Sequence, residues 1–199
     1  YCPSPFRQWP LLRDDVRFVP YFPKLLQESL EFGVYDRLRS PDAARFMKAF
    51  GPLFCEHVGR GVEYLGLPFA SEEQLQAALG GDQKVTDFLV VDGDANILIE
   101  AKAVEMGSPG RVSLDPDILF HEVEDSVVKA IQQGLSVASR LDSLPRIGEV
   151  VRGRGPTYLL VVTYRDLYLG GGRWLAKYVA PERMAQLLGG AKASGAIPA

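Results

Sequence analysis

The sequence predicts an α/β fold with a mixed sheet flanked by helices. Three observations predict it. Apolar residues recur at helical spacing through the first third of the chain. A hairpin pattern, "TDFLVVDGDANILIEAKA", runs from Thr86 to Ala103. A further helical pattern then leads into a β-branched run, "TYLLVVTY". With 199 residues, 47% of them hydrophobic, the chain suits one domain with one sizeable core. No apolar run approaches membrane-spanning length, so no membrane partner is expected.

Residues 1–23, rich in proline and aromatics ("YCPSPFRQWP", "VPYFP"), read as an extended or irregular arm. "PKLLQESLEFGVYDRL" and "SPDAARFMKAFGPLF" read as helices. Ser40 is the expected N-cap of the second, with Pro41 at its first helical position and Asp42 following in the first turn. "GPLFCEHVGRGVEYLG" carries an apolar stripe of Phe54, Val58, Val62 and Leu65, with Glu56, Arg60 and Glu63 on another face. "SEEQLQAAL" is a short helix capped by Ser71. Residues 104–120, punctuated by Gly107, Pro109, Gly110 and Pro116, read as a long irregular loop. "HEVEDSVVKAIQQGLSVASRL" is an amphipathic helix with Val127, Ile131, Leu135, Ala138 and Leu141 as its core stripe. "TYLLVVTY" is expected to be a buried strand, and "PERMAQLLGG" a closing short helix.

The hairpin contains the chemistry. Side chains alternate along a strand, so Asp87 shares a face with Leu89 and Val91, and Glu100 and Lys102 share one with Leu98. If Asp92 to Ala95 form the loop, Val91 pairs with Asn96 and Asp87 falls opposite Glu100. A one-residue slip would place the two on opposite faces. Two carboxylates at the edge of a core repel unless a cation lies between them. A hard divalent ion with oxygen ligands suits that position, magnesium first and manganese as the alternative. Lys102 beside it would stabilise charge on a phosphoryl group or help position a water. The plainer reading makes the three residues a strand-end ion pair of little energetic value.

"TDFLVV" and "ILIEAKA" resemble the PD-(D/E)xK nuclease signature, with Asp87 as the first acid and Glu100-Ala101-Lys102 as the E-x-K. Thr86 stands where that signature usually has proline. The resemblance implies a restriction-endonuclease-like core over residues 44–165, preceded by an N-terminal arm and helices (1–43) and followed by a C-terminal extension (166–199). It implies metal binding by Asp87, Glu100 and the Ala101 carbonyl, with Lys102 catalytic. It further implies an acid from a preceding helix, which Glu56 resembles, with Glu63 as runner-up. A glutamine from the following helix completes the set. Gln133 fits best because Val137 follows where those families place a bulky residue, and Gln132 is adjacent. Lys129 shares a helical face with Gln133. The implied activity is a magnesium-dependent deoxyribonuclease, endo- or exo-acting. The alternative is a catalytically inactive module of the same fold that binds nucleic acid or a partner protein.

Net charge is −3, which excludes a generally basic nucleic-acid binder. The charge is uneven. Residues 1–145 hold 14 Lys/Arg against 22 Asp/Glu, whereas residues 146–199 hold 8 against 3. Arg146, Arg152, Arg154, Arg165, Arg173 and Lys177 are candidates for tracking a phosphate backbone. Trp174, Tyr158 and Tyr164 read as core or edge aromatics, and "LGGGRW" as a turn. His57 and His121 lack a nucleophile at suggestive spacing, which argues against a small-molecule hydrolase. Two cysteines, Cys2 and Cys55, make neither a disulfide framework nor a zinc site. Cys55 reads as a buried thiol in a reducing, cytoplasmic setting, with a secreted effector as the alternative. The chain begins at Tyr1, which reads as a fragment or a processed product of a larger parent chain.

Overall fold

The computed structural model describes residues 11–20, 22–80, 84–167, 169, 174–179, 181–182 and 185–186. The chain divides into two compact units, residues 1–50 and 51–199. The expectations for residues 1–10, for "LGGGRW" and for most of "PERMAQLLGG" fall largely outside the described residues.

In the first unit, β1 (Leu11–Asp14) pairs antiparallel with β2 (Arg17–Pro20). The segment expected to be an irregular arm thus contains a tight hairpin. Its loop places Asp15 at φ 47°, a left-handed position that aspartate tolerates better than most residues. Helix α1 (Pro23–Arg39) follows. Tyr35, buried, meets the rings of Phe46 and Phe50 edge-on, each centroid 5.0 Å away. Phe46 and Phe50 stack at 5.3 Å, as residues four apart on a helix do.

Helix α2 (Ala43–Tyr64) merges two expected helices into one and accommodates Pro52 in its interior. Its start differs from expectation. Arg45 N–H donates to Asp42 Oδ1 at 2.9 Å, so Asp42 caps the helix, and Ser40 instead ends α1. Aspartate accepts from the third N–H of a helix when it occupies the cap, and Asp42 is the residue at that distance. Residues 51–64 of α2 belong to the second unit.

The second unit is built on a mixed four-stranded sheet. Its strands are β3 (Phe69–Ser71), β4 (Phe88–Asp92), β5 (Ala95–Lys102) and β8 (Thr157–Thr163), in that spatial order. The first two pairings are antiparallel, and β5 pairs parallel with β8. Helix α3 (Glu72–Leu79) joins β3 to β4, and the Gln74 side chain accepts from Ser71 N–H at 2.9 Å at its start. A parallel pairing needs a long crossover. It is supplied by α4 (Ser108–Val112), α5 (Pro116–Val123), a π-helical turn (Glu124–Val128), α6 (Lys129–Leu141) and a small hairpin of β6 (Arg146–Ile147) and β7 (Val150–Val151). The expected loop at 104–120 therefore contains a helix and the start of another. A second π-helical stretch covers Leu175–Val179.

Strand alternation divides the core. Val90 and Ile99 pack with Val62 of α2, joined by Val58, Phe88 and Ile97. Leu89, Val91 and Leu98 pack with Leu75 of α3 and with Val137 and Leu141 of α6. The α6 stripe differs from the expected one. Ala130, Gly134, Val137 and Leu141 are its buried residues, while Ile131, Leu135 and Ala138 are half-buried. Small residues make the contact: a Cβ on Gly134 would lie 2.7 Å from Leu159 of β8, so only glycine permits this approach. On α2, likewise, Gly59 is buried beneath Phe88, whereas Leu65 is 58% exposed. Strand β8 is one edge of the described sheet, and Tyr158 and Leu160 are exposed, so it is not buried on both faces as its composition suggested. Among the described residues no helix is long and apolar enough to cross a membrane.

Candidate functional site

The β4–β5 register is the one that a short loop demands. Val91 pairs with Asn96 and Asp92 with Ala95, leaving Gly93 and Asp94 as a two-residue turn with Gly93 at φ 56°. Phe88 pairs with Ile99, so Asp87, one step earlier, falls opposite Glu100. The parallel partner β8 ends at the same side, with Lys102 beside Thr163. The open end of the hairpin therefore gathers Asp87, Glu100, Ala101 and Lys102.

Their contacts are specific. Ala101 N–H donates to Asp87 Oδ2 at 2.6 Å. Lys102 Nζ donates to Glu100 Oε1 at 2.5 Å. Glu100 is only 3% exposed, and its second oxygen, Oε2, is buried without a hydrogen-bond partner. Burial pushes the Glu100 carboxyl above the ordinary glutamate range; Lys102 opposes that shift, and the Asp87 charge adds to it. Thr86, fully buried, also leaves its hydroxyl oxygen without a partner.

Helices on both sides reach this end. From α2, Cys55 lies near enough to Asp87 for the carboxylate to act on its thiol. Burial, then the Asp87 carboxylate, push the thiol up to about 12, so it stays protonated. Glu56, one residue on, is turned about 100° around the helix axis. It is exposed and forms an ion pair with Arg60 at 2.5 Å. The side chain that α2 sends to the site is therefore Cys55 rather than the expected Glu56. Glu63 is also exposed. From α6, Gln133 Nε2 donates to the Val85 carbonyl at 3.4 Å, tying the helix to the segment that carries Thr86 and Asp87. Gln132 is half-buried, and Lys129 pairs with Asp125 at the surface.

Sequence reasoning passed over two neighbours of Asp87. One is Cys55, one turn before Gly59, which lies against Phe88 on the core side of α2. The other is Glu72, the first residue of α3. Its carboxyl is raised by burial and by the Asp87 charge, and lowered by Lys102. Among the described residues, no group of three or more His, Cys, Asp or Glu side chains is assembled closely enough to hold a metal ion by itself. The donors present at the open end are two carboxylates and a main-chain carbonyl.

Four of the described basic residues after position 145 are engaged locally. Arg146 donates to the Glu149 carbonyl, Arg152 to Asp142 at 2.6 Å, and Arg165 to the buried Glu105 at 2.7 Å. Lys177 lies over the Tyr178 ring, 5.0 Å from its centroid. Arg154 is exposed, and Arg173 lies outside the described residues. His57 and His121 are exposed.

No family model matches the chain, and neither a curated protein nor a solved structure matches it.

Proposed function

We propose that the second unit is a divalent-metal-dependent nuclease that hydrolyses phosphodiester bonds, with DNA as the substrate implied by the sequence resemblance. The observation that carries this reading is Glu100 Oε2: a carboxylate oxygen, buried and without a partner, beside a second carboxylate and a lysine. A buried oxygen left unpaired is costly, and a hard cation would satisfy it. The donor set fits magnesium, or manganese in its place. Magnesium keeps several waters and takes one or two carboxylates plus substrate phosphate, so it does not need a cage of three protein acids.

The order of elements supports the same reading. A helix, the hairpin carrying D…E-x-K, a glutamine-bearing helix and a closing strand follow one another as in the restriction-endonuclease-like arrangement that the sequence resembles. Two departures stand beside it. Glu56 faces solvent, and Thr86 replaces the usual proline.

In this mechanism Asp87, Glu100 and the Ala101 carbonyl would hold the ion. When bound, the ion would polarise a phosphoryl oxygen and acidify a water. Ala101 N–H fixes the Asp87 carboxylate, so it is oriented before substrate arrives. Lys102 sits one residue beyond the carbonyl that ligates, and its ammonium would neutralise charge developing on the phosphoryl group. Gln133, through Val85, holds the Asp87 segment against α6.

The test is nicking of a supercoiled plasmid with magnesium, with manganese and with a chelator, for the parent and for Lys102→Ala and Asp87→Ala. Metal-dependent nicking that falls at least about 100-fold in both variants supports the reading. No nicking under any metal, or nicking unchanged in both variants, sinks it. The competing reading is a non-catalytic module of the same fold. It is favoured by Lys102 already being paired to Glu100 and by the excess of acid before residue 146. It predicts no nicking, with retained binding to nucleic acid or to a partner protein.

A further inference from the structure

The two edges of the described sheet differ. Strand β3, at one edge, is three residues long. Strand β8, at the other, runs for seven residues without a charge, a proline or a glycine. Its unbroken register with β5 contains no bulge. Shortness, edge charges, proline and bulges are the devices by which sheets avoid pairing with another chain, and β8 has none of them. Among the described residues only β5 pairs with β8, so its outer side presents main-chain N–H and C=O groups that no described strand pairs.

The side chains agree with the backbone. Tyr158, Leu160 and Val162 alternate onto the side of the sheet that carries the Val62, Val90 and Ile99 cluster. Val162 packs against that cluster, whereas Tyr158 and Leu160 are left 57% and 50% exposed. On the other side, Leu159 meets Gly134 of α6. The apolar layer beside α2 thus runs out to an open edge.

The strand is self-complementary. Antiparallel pairing of β8 with itself about Leu160 places Thr157 opposite the partner's Thr163, Tyr158 opposite the partner's Val162 and Leu159 opposite the partner's Val161. Threonine–threonine and aromatic–β-branched pairs are among the favourable cross-strand pairs, and no like charges meet because the strand carries none. Opposite residues point to the same face, so Tyr158, Leu160 and Val162 of both copies form one apolar layer across the join. We propose that β8 is the interface of a twofold dimer of this chain. The pairing joins the two four-stranded sheets into one, with the dyad at Leu160. No residue of the proposed metal site takes part, so dimer and nuclease activity are separate questions.

The experiment is sedimentation equilibrium on the full chain over a wide concentration range, with oxidative cross-linking to read the register. The parent is expected to show a reversible monomer–dimer equilibrium. Leu160→Lys places two ammonium groups opposite each other at the dyad and should raise the dissociation constant at least about 10-fold. Leu160 is exposed in the single chain, so melting of Leu160→Lys in dilute solution should stay close to the parent and show that it is folded. On a Cys2→Ser background, Leu160→Cys meets its own copy and should cross-link well above that background alone. Tyr158→Cys should not, since its copy lies four residues along and one strand across, about 14 Å away. A parent that stays monomeric throughout, a dimer that Leu160→Lys leaves intact, or equal cross-linking of Leu160→Cys and Tyr158→Cys overturns the proposal. So does growth beyond the dimer, because a twofold pairing closes on itself.

Discussion

The two ends of the β4–β5 hairpin bury polar groups in opposite ways. At the turn end, Asn96 is fully buried. It donates from Nδ2 to the Gly153 carbonyl at 3.0 Å and accepts from Gly153 N–H at 2.9 Å. Gly155 N–H also donates to the Asp94 carbonyl at 2.7 Å, and a Cβ on Gly153 would lie 2.2 Å from that same oxygen. Both side-chain groups are satisfied, and the result is mechanical: the loop before β8 is clamped so that β8 enters parallel to β5. At the open end, Glu100 is equally inaccessible, yet one of its oxygens is unpaired. Asn96 is closed off by its partners, whereas Glu100 keeps a vacant lone pair, as the proposed metal site requires.

Changes at both ends test that contrast. The largest effect is expected in the reactivity of Cys55. With its thiol pushed up to about 12 by burial and by Asp87, alkylation at pH 8 should be about 1000-fold slower than that of a free thiol. Mass spectrometry on a Cys2→Ser background measures it, and Asp87→Asn should speed it. Rapid alkylation of the parent would mean that the thiol is neither shielded from water nor held beside the Asp87 charge.

Next, Asn96→Ala should cost about 2–4 kcal/mol, because the Gly153 N–H and carbonyl are left buried and unpaired. Urea unfolding followed by circular dichroism measures it. A loss below about 1 kcal/mol would show the clamp to be dispensable.

Glu100 sets the pH response of the other end. Its folded carboxyl is raised, so the folded state binds the proton more tightly than the unfolded state does. Stability is therefore greatest while Glu100 is protonated, and falls as pH rises from the ordinary glutamate range through the raised folded value. Glu100→Gln should flatten that part of the profile in metal-free protein. A profile unchanged by the substitution would relieve Glu100 of the role.

The smallest effect belongs to Glu56→Ala. Its exposed ion pair with Arg60 contributes at most about 0.5 kcal/mol, so both thermal stability and nicking should be nearly unchanged. A large loss of nicking would return Glu56 to the site.

The hairpin was legible because its information is local. Alternation fixes faces, the Asp-Gly turn fixes loop length, and the two together fix which residue lies opposite Asp87. The helix contributions were less legible. For α2 the expected stripe of Phe54, Val58 and Val62 does face the core and only Leu65 departs from it; Gly59, one turn after Cys55, lies under Phe88 on that side, while Glu56 pairs with Arg60 in solvent. For α6 the large residues Ile131 and Leu135 suggested the stripe, while the contact is made by Ala130, Gly134 and Val137. Hydrophobic scales favour large side chains, whereas close packing of a helix on a sheet favours small ones at the contact.

The sequence by itself determined the mixed α/β order, the β4–β5 register and the juxtaposition of Asp87, Glu100 and Lys102. All of these depend on neighbours within about twenty residues and on strand periodicity. Only the tertiary structure decided that Cys55 and Glu72 border the site, that β8 is an edge, and that Glu100 Oε2 is buried without a partner. Each of these depends on how a helix rotates about its axis or how a strand is placed in the sheet. That choice is settled by packing between segments far apart in the chain, where small residues let a helix approach the sheet closely.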